Sequence, residues 1–352
     1  MAPSLPVVPS RDTRLASLMS DSLLGLPAAA YFTVQKLREQ AFRFGLLGSA
    51  RSPVPVISVG NILMGGTGKT PFTMYLAQLL TDRGLRPAVV SRGYRGSYLG
   101  ELLVVSRGDG GDPEAGPSEC GDEPFLIAKR MPQVPVIVAR RRIQGARAAA
   151  ALFKSDVVVL DDGFQHLRLQ RDVDIVLMNG SEDRMFPLGR LREPISALRR
   201  ADAVVLTGSE DRIPELCQRY VAGAAVFRCR QEVVGLTAGF SSPFISAHHL
   251  AGKDVILISA IAEPERFSAS AKDLGWRVTR HFVYRDHHKL PDRELRRILQ
   301  DEQESTIVVT EKDWVKLPAW FTGTGRVWAM RIGVNLENEE DFNKVLFAGI
   351  SA

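Results

Sequence analysis

Lys69 and Thr70 close a glycine-rich run, Met64-Gly-Gly-Thr-Gly-Lys-Thr70, and this ending suits a polyphosphate. Gly65, Gly66 and Gly68 let the main chain approach phosphates closely, and together with Thr67 they turn its amides inward. Lys69 supplies positive charge to the outer phosphates, and the Thr70 hydroxyl is a suitable Mg²⁺ ligand. Leu63 stands where the general pattern G-x-x-x-x-G-K-S/T begins with glycine, so the flanking elements must carry part of the argument.

Acids and arginines come next in the chain. Asp122 and Glu123, in Gly121-Asp-Glu-Pro124, open an apolar helical stretch. They read equally as helix-start acids opposing the macrodipole, or as one carboxylate for a metal and one for a substrate hydroxyl. Asp161 and Asp162 end the apolar run 157–160, a Walker B arrangement that sets a carboxylate beside an ion held by Thr70. Arg92 and Arg95 lie between glycines after another apolar run, read either as a phosphate contact or as a solvated turn. Arg141 and Arg142 sit where a helix starts, which is explained either by a nearby anion or by a solvated basic end. His281, His287 and His288 have no zinc-ligand spacing and read as neutral or hydrogen-bonded side chains.

These groups need strand ends to carry them. Short apolar runs at 57–59, 87–90, 134–139, 156–160, 174–178 and 203–207 alternate with helical stretches such as 71–84, and 102–106 reads as a hairpin strand. The pattern predicts an α/β fold with a P-loop, a mostly parallel sheet and helices on both faces. Residues 49–230 form the expected core, 231–247 a connection, and 248–352 a smaller α/β lobe with strands at 254–261, 277–284 and 306–310 and helices from 264 and 292. Residues 1–48 precede the core, beginning with a proline-bearing stretch (Pro3, Pro6, Pro9) that reads as a loose tail.

The stretch 15–47 mixes Leu23, Leu24, Leu26, Tyr31, Phe32, Phe42 and Phe44 with Lys36, Arg38, Arg43 and nearby Arg51. Its uninterrupted apolar part, 23–34, holds about a dozen residues and contains Pro27, whereas a spanning helix needs about twenty. It reads as a helix lying in the headgroup region of a membrane, or as one packed on the protein's own core. The chain has 352 residues, 45% hydrophobic and 24% charged, with a net charge of +5 that favours an anionic partner. Three dispersed cysteines indicate neither a disulfide framework nor a zinc site.

The ordered set Ser-Val-Gly-Asn, Gly-Gly-Thr-Gly-Lys-Thr-Pro, Ser-Arg-Gly-Tyr-Arg-Gly, Gly-Asp-Glu-Pro, Asp-Asp-Gly-Phe-Gln-His, Gly-Arg-Leu-Arg-Glu-Pro, Asp-His-His and Thr-Glu-Lys-Asp resembles the tetraacyldisaccharide 4'-kinase family. The resemblance implies transfer of the γ-phosphoryl of ATP, with Mg²⁺, to the 4'-hydroxyl of a lipid A disaccharide 1-phosphate. It implies peripheral attachment to anionic lipid on the cytoplasmic face of a bacterial inner membrane, with no obligate protein partner. By the same resemblance Asp122 is the base, His287 the histidine paired with it, and Lys69 the phosphate lysine. Thr70, Glu123 and Asp162 then stand on the metal side, with Arg92, Arg95, Arg141, Arg142, Asp161 and His166 as substrate candidates. Arg190 departs from a common proline, which bears on the local loop shape.

Other nucleotide-binding classes fit less well. Partition-type ATPases usually carry a lysine where Met64 stands, and Thr310-Glu-Lys-Asp313 does not supply the N-K-x-D motif of a GTPase. The basic residues are dispersed, without the aromatic platform of a nucleic-acid binder.

Overall fold

The computed structural model describes residues 11–351 except 181–182, 209–211, 241 and 303–304, with side chains from residue 24 onward. The proline-bearing tail 1–10 lies outside the described residues. The strands are β1 (Val56–Gly60), β2 (Pro87–Ser91), β3 (Leu102–Arg107), β4 (Pro135–Ala139), β5 (Val157–Asp161), β6 (Val173–Met178), β7 (Ala203–Leu206), β8 (Ala225–Thr237), β9 (Asp254–Ser259), β10 (Arg277–Val283), β11 (Thr306–Thr310) and β12 (Val327–Leu336). They form one 12-stranded sheet in the order β10-β9-β11-β12-β8-β7-β6-β1-β5-β2-β4-β3. Every described neighbour pair is parallel except β3 with β4 and β8 with β12.

Parallel strands covered on both faces read as continuous apolar runs, and β5 and β6 are buried along their whole length. Alternation persists in where the side chains go. Val157 and Val159 pack with Phe72, Leu76 and Leu80, while Val158 and Leu160 pack with Ile143, Ala146 and Ala149. The first set belongs to the face covered by α2 (Lys69–Asp82), the second to the face covered by α5 (Arg142–Phe153). Between them in sequence come α3 (Pro117–Cys120) and α4 (Asp122–Arg130). The second half adds α6 (Glu215–Gln218), α7 (Pro264–Asp273), α8 (Asp292–Asp301), α9 (Glu311–Trp314), α10 (Ala319–Thr322) and α11 (Glu339–Ile350). The last of these crosses back to the first half, where Phe342 meets Phe72 edge-on at 5.9 Å.

The strand β8 joins the halves directly. Its residues 225–228 pair with β7, and its residues 229–237 pair with β12. The stretch 231–247, read from sequence as a connection, thus begins as sheet and leaves it after Thr237.

The N-terminal helix α1 (Arg11–Arg43) is 33 residues long and runs through Pro27. Its second half docks on the loop before β7: Lys36 bonds Ser196 and Glu39, and Arg200 reaches Glu39 at 3.2 Å. Arg38 donates to the carbonyl of Gln165 at 2.7 Å. Leu26, Phe44 and Leu46 remain 82%, 72% and 79% exposed. Among the described residues, no helix is long and apolar enough to cross a membrane.

Candidate active site

The run from β1 into α2 forms the rim of a cavity of about 620 Å³ between the two halves of the sheet. Gly68 is left-handed, with φ 79°, and an added Cβ there would strike the Gln231 amide from β8. The loop is braced from behind, because Asn61 donates to the Thr67 hydroxyl at 2.8 Å and Thr207 donates to the Thr67 carbonyl at 3.1 Å. Pro71 stands in the first turn of α2, where its missing N–H costs no helical hydrogen bond.

Across from the loop, β5 delivers its two acids to different surroundings. Asp161 is 1% exposed and accepts from the Thr73 hydroxyl at 3.2 Å. Burial, with the negative charges of Glu123 and Asp162 added, raises its carboxyl to about 7. Asp162 takes a left-handed φ of 56° and turns into the cavity. Its Oδ1 lies 3.6 Å from Lys69 Nζ, and its Oδ2 accepts from Arg192 at 2.8 Å. Burial pushes its carboxyl up, but Lys69 and Arg192 outweigh burial and hold it below the ordinary value. Oδ1 accepts no hydrogen bond, so this buried oxygen has a lone pair for a cation.

The second acid pair starts α4. Gly121 has φ 95°, and a Cβ there would sit 2.7 Å from the Tyr94 carbonyl, so the loop after β2 packs directly on the residue that aims Asp122. Asp122 Oδ2 lies 2.8 Å from His287 Nδ1 and 3.7 Å from Lys316 Nζ. Glu123 faces the cavity and accepts from Lys312 at 3.1 Å. Lys69, Asp162, Glu123 and His287 thus line one space.

The sequence pattern of the tetraacyldisaccharide-1-P 4'-kinase family matches residues 21–351. The chain belongs to this family. A tetraacyldisaccharide 4'-kinase of Syntrophotalea carbinolica is 40% identical over 298 residues, 82% of this chain and 80% of that relative. One of Desulfatibacillum aliphaticivorans is 33% identical over 343 residues, covering 93% of this chain and 92% of its own. The crystal structure of LpxK from Aquifex aeolicus in complex with ATP superposes with a TM-score of 0.79 at 35% identity, covering 94% of this chain and 99% of that one.

Against this kinase family, the residues expected from sequence fall into two groups. Gly65 to Thr70, Asp162, Glu123, His287 and Arg92 line the cavity. The other substrate candidates lie elsewhere. Arg95 donates to the Asp286 carbonyl at 2.7 Å, Arg141 is exposed, and Arg142 is buried with its guanidinium on the Ala139 carbonyl at 2.9 Å. Burial lowers the Arg142 guanidinium to about 10 against the opposing pull of Asp162 and Asp161. His166 is driven down to about 4, first by burial and then by Arg142, Arg171, Arg38 and Arg168. The three histidines of the second half part ways: His281 bonds Ser259 at 2.8 Å, His288 stacks on Tyr284, and His287 goes to Asp122. Asp313 is buried against Lys316 at 2.8 Å.

Arg192 and Lys316 had no role assigned from sequence. Arg192 stands inside the Gly-Arg-Leu-Arg-Glu-Pro run, so a signal existed, whereas Lys316 carries no motif and is placed only by the turn after α9.

Proposed function

We propose that this chain transfers the γ-phosphoryl group of ATP to the 4'-hydroxyl of tetraacyldisaccharide 1-phosphate. The observation that carries this reading is one cavity lined both by the Lys69 loop and by the histidine that holds Asp122. A phosphate cradle alone fits many ATPases. A carboxylate held by a histidine of the facing wall fits an acceptor that must lose a proton.

In the proposed step a lone pair of the 4'-oxygen forms the new O–P bond as the bond from the γ-phosphorus to the bridging oxygen breaks, leaving the electron pair on ADP. Asp122 takes the hydroxyl proton. Lys69 and the first-turn amides of α2 hold the phosphate oxygens, and Arg192 keeps Asp162 turned toward them. Arg92 is the substrate arginine that faces the space directly.

The residues fit Mg²⁺ through Thr70, Glu123 and Asp162, on the evidence of the unpartnered Asp162 Oδ1 and the crowding of negative charge on Asp161. When bound, the ion would neutralise charge on the transferring phosphate. Among the described residues, no group of three His, Cys, Asp or Glu side chains gathers closely enough to hold a metal alone. This suits an ion that completes its shell with phosphate oxygens and water.

The exposed Leu26, Phe44 and Leu46, with exposed Arg43 and Arg51, support peripheral binding of α1 to anionic lipid on the cytoplasmic face of the inner membrane. Lys36 and Arg38 are spent on intramolecular bonds and contribute less there. Serine at positions 26, 44 and 46 is expected to lower co-flotation with anionic vesicles, and undiminished flotation would move the anchor elsewhere.

The deciding experiment measures label transfer from γ-labelled ATP to tetraacyldisaccharide 1-phosphate in micelles, for the native chain and for Asp122→Ala. Labelled lipid from the native chain, falling roughly 10²- to 10⁴-fold in the variant, supports the reaction and the base. ATP hydrolysis without lipid product would turn the reading to an ATPase.

A further inference from the structure

We propose that Lys312 is a positioning residue that fixes the tautomer of His287, so that the ring presents Nδ1–H to Asp122. This deepens the proposed reaction and rests on Asp122 being its base. Lys312 Nζ lies 3.1 Å from His287 Nε2. An ammonium has three N–H donors and no lone pair, so at that distance Nε2 must be the acceptor. The proton of the neutral ring is then on Nδ1, which faces Asp122 Oδ2 at 2.8 Å. The opposite tautomer would set N–H against N–H at Lys312, with Asp286 Oδ2 too far from Nε2 at 3.7 Å to accept in its place, and lone pair against lone pair at Asp122.

The donor inventory of Lys312 closes. Its other two partners are Glu123 Oε1 at 3.1 Å and Asp286 Oδ1 at 3.4 Å, so three donors meet three acceptors. Burial opposes the ammonium, but Glu123 and Asp286 outweigh it and keep the charge in place. The ring is also held from its other sides. His287 has a left-handed φ of 63°, its amide donates to the Ala260 carbonyl at 3.0 Å, and Tyr94 packs edge-on at 5.6 Å. With Nδ1–H occupying one position on Oδ2, and Lys316 on the same side at 3.7 Å, the remaining lone pairs of Asp122 are left to the sugar hydroxyl.

The test labels histidine with ¹⁵N in the full chain and records ring nitrogens above the ordinary imidazole range, with His287→Gln identifying the resonances. The native chain is expected to show a protonated Nδ1 and a bare Nε2. Lys312→Met should show averaging of both tautomers, with kcat reduced about tenfold or more and the KM for ATP nearly unchanged. Lys312→Arg, also donor-only, should restore the native pattern and part of kcat. A proton on Nε2 in the native chain overturns the proposal, as does an unaltered tautomer in Lys312→Met. Should Lys312→Met not fold, Lys312→Gln takes its place: its amide can turn either oxygen or N–H to Nε2, so averaging is expected there and an unaltered tautomer overturns the proposal. The spectra are independent of turnover, so failure here is distinct from failure of the lipid transfer assay.

Discussion

The Tyr31 hydroxyl donates to the main-chain carbonyl of Arg192 at 2.9 Å, and the Arg192 guanidinium holds Asp162 at 2.8 Å. The N-terminal helix is therefore two contacts away from the cavity wall. Tyr31→Phe keeps the ring, which packs edge-on to Phe186 at 5.7 Å, and removes only the donor. A lost hydrogen bond of about 1 kcal/mol expressed in the position of Arg192 corresponds to a roughly fivefold lower kcat. Steady-state transfer with circular dichroism as a folding control checks this, and an unchanged kcat would mean that α1 does not act on the cavity wall.

Glu311 ties the halves together inside the protein. It is 6% exposed and accepts from Arg130 on α4 at 2.6 Å and from Arg331 on β12 at 2.7 Å. Glu311→Ala leaves two cations facing each other in poor solvent, an expected loss of about 3–5 kcal/mol in urea unfolding. Glu311→Gln keeps an acceptor and should lose less. Loss below about 1 kcal/mol in the alanine variant would mean that both arginines find other partners.

His166 gives the stability a pH dependence of predictable sign. Its folded-state value of about 4 lies below the ordinary 6.5, so between these limits the unfolded chain binds more protons than the folded one. Stability contributed by the neutral ring is fully present above about 6.5 and is lost as pH falls toward about 4. Half-buried His281, also lowered by burial, acts in the same direction. Denaturation midpoints across this window should fall more steeply for the native chain than for His166→Asn, and parallel curves would refute the assignment.

Much of the wall around Lys69 was legible because its parts are local. The strand Val56–Gly60, the turn and the helix after Lys69 are consecutive, and periodicity with glycine placement describes them without tertiary information. The acids at 161–162 follow the same logic. The opposite wall was legible only through family resemblance, since Asp122 and His287 stand 165 positions apart and no spacing rule joins them. The roles of Arg192 and Lys312 depend on which acid each cation reaches, which the fold alone decides. Strand β12 and helix α11 were not anticipated, although β12 pairs along the whole second part of β8. Its run Arg331-Ile-Gly-Val-Asn places polar and glycine residues inside a strand, which blurs the apolar signal.

The handover within β8 bears on how the cavity can change its width. Register with β7 ends at Arg228, and register with β12 begins at Cys229, so consecutive residues of one extended backbone serve both neighbours. The two registers meet at this junction without overlapping, so a bend between Arg228 and Cys229 separates no paired residues of either ladder. Narrowing the gap by a bend at this point would cost no sheet pairing, so the connection works as a strap of continuous strand rather than as a loose loop.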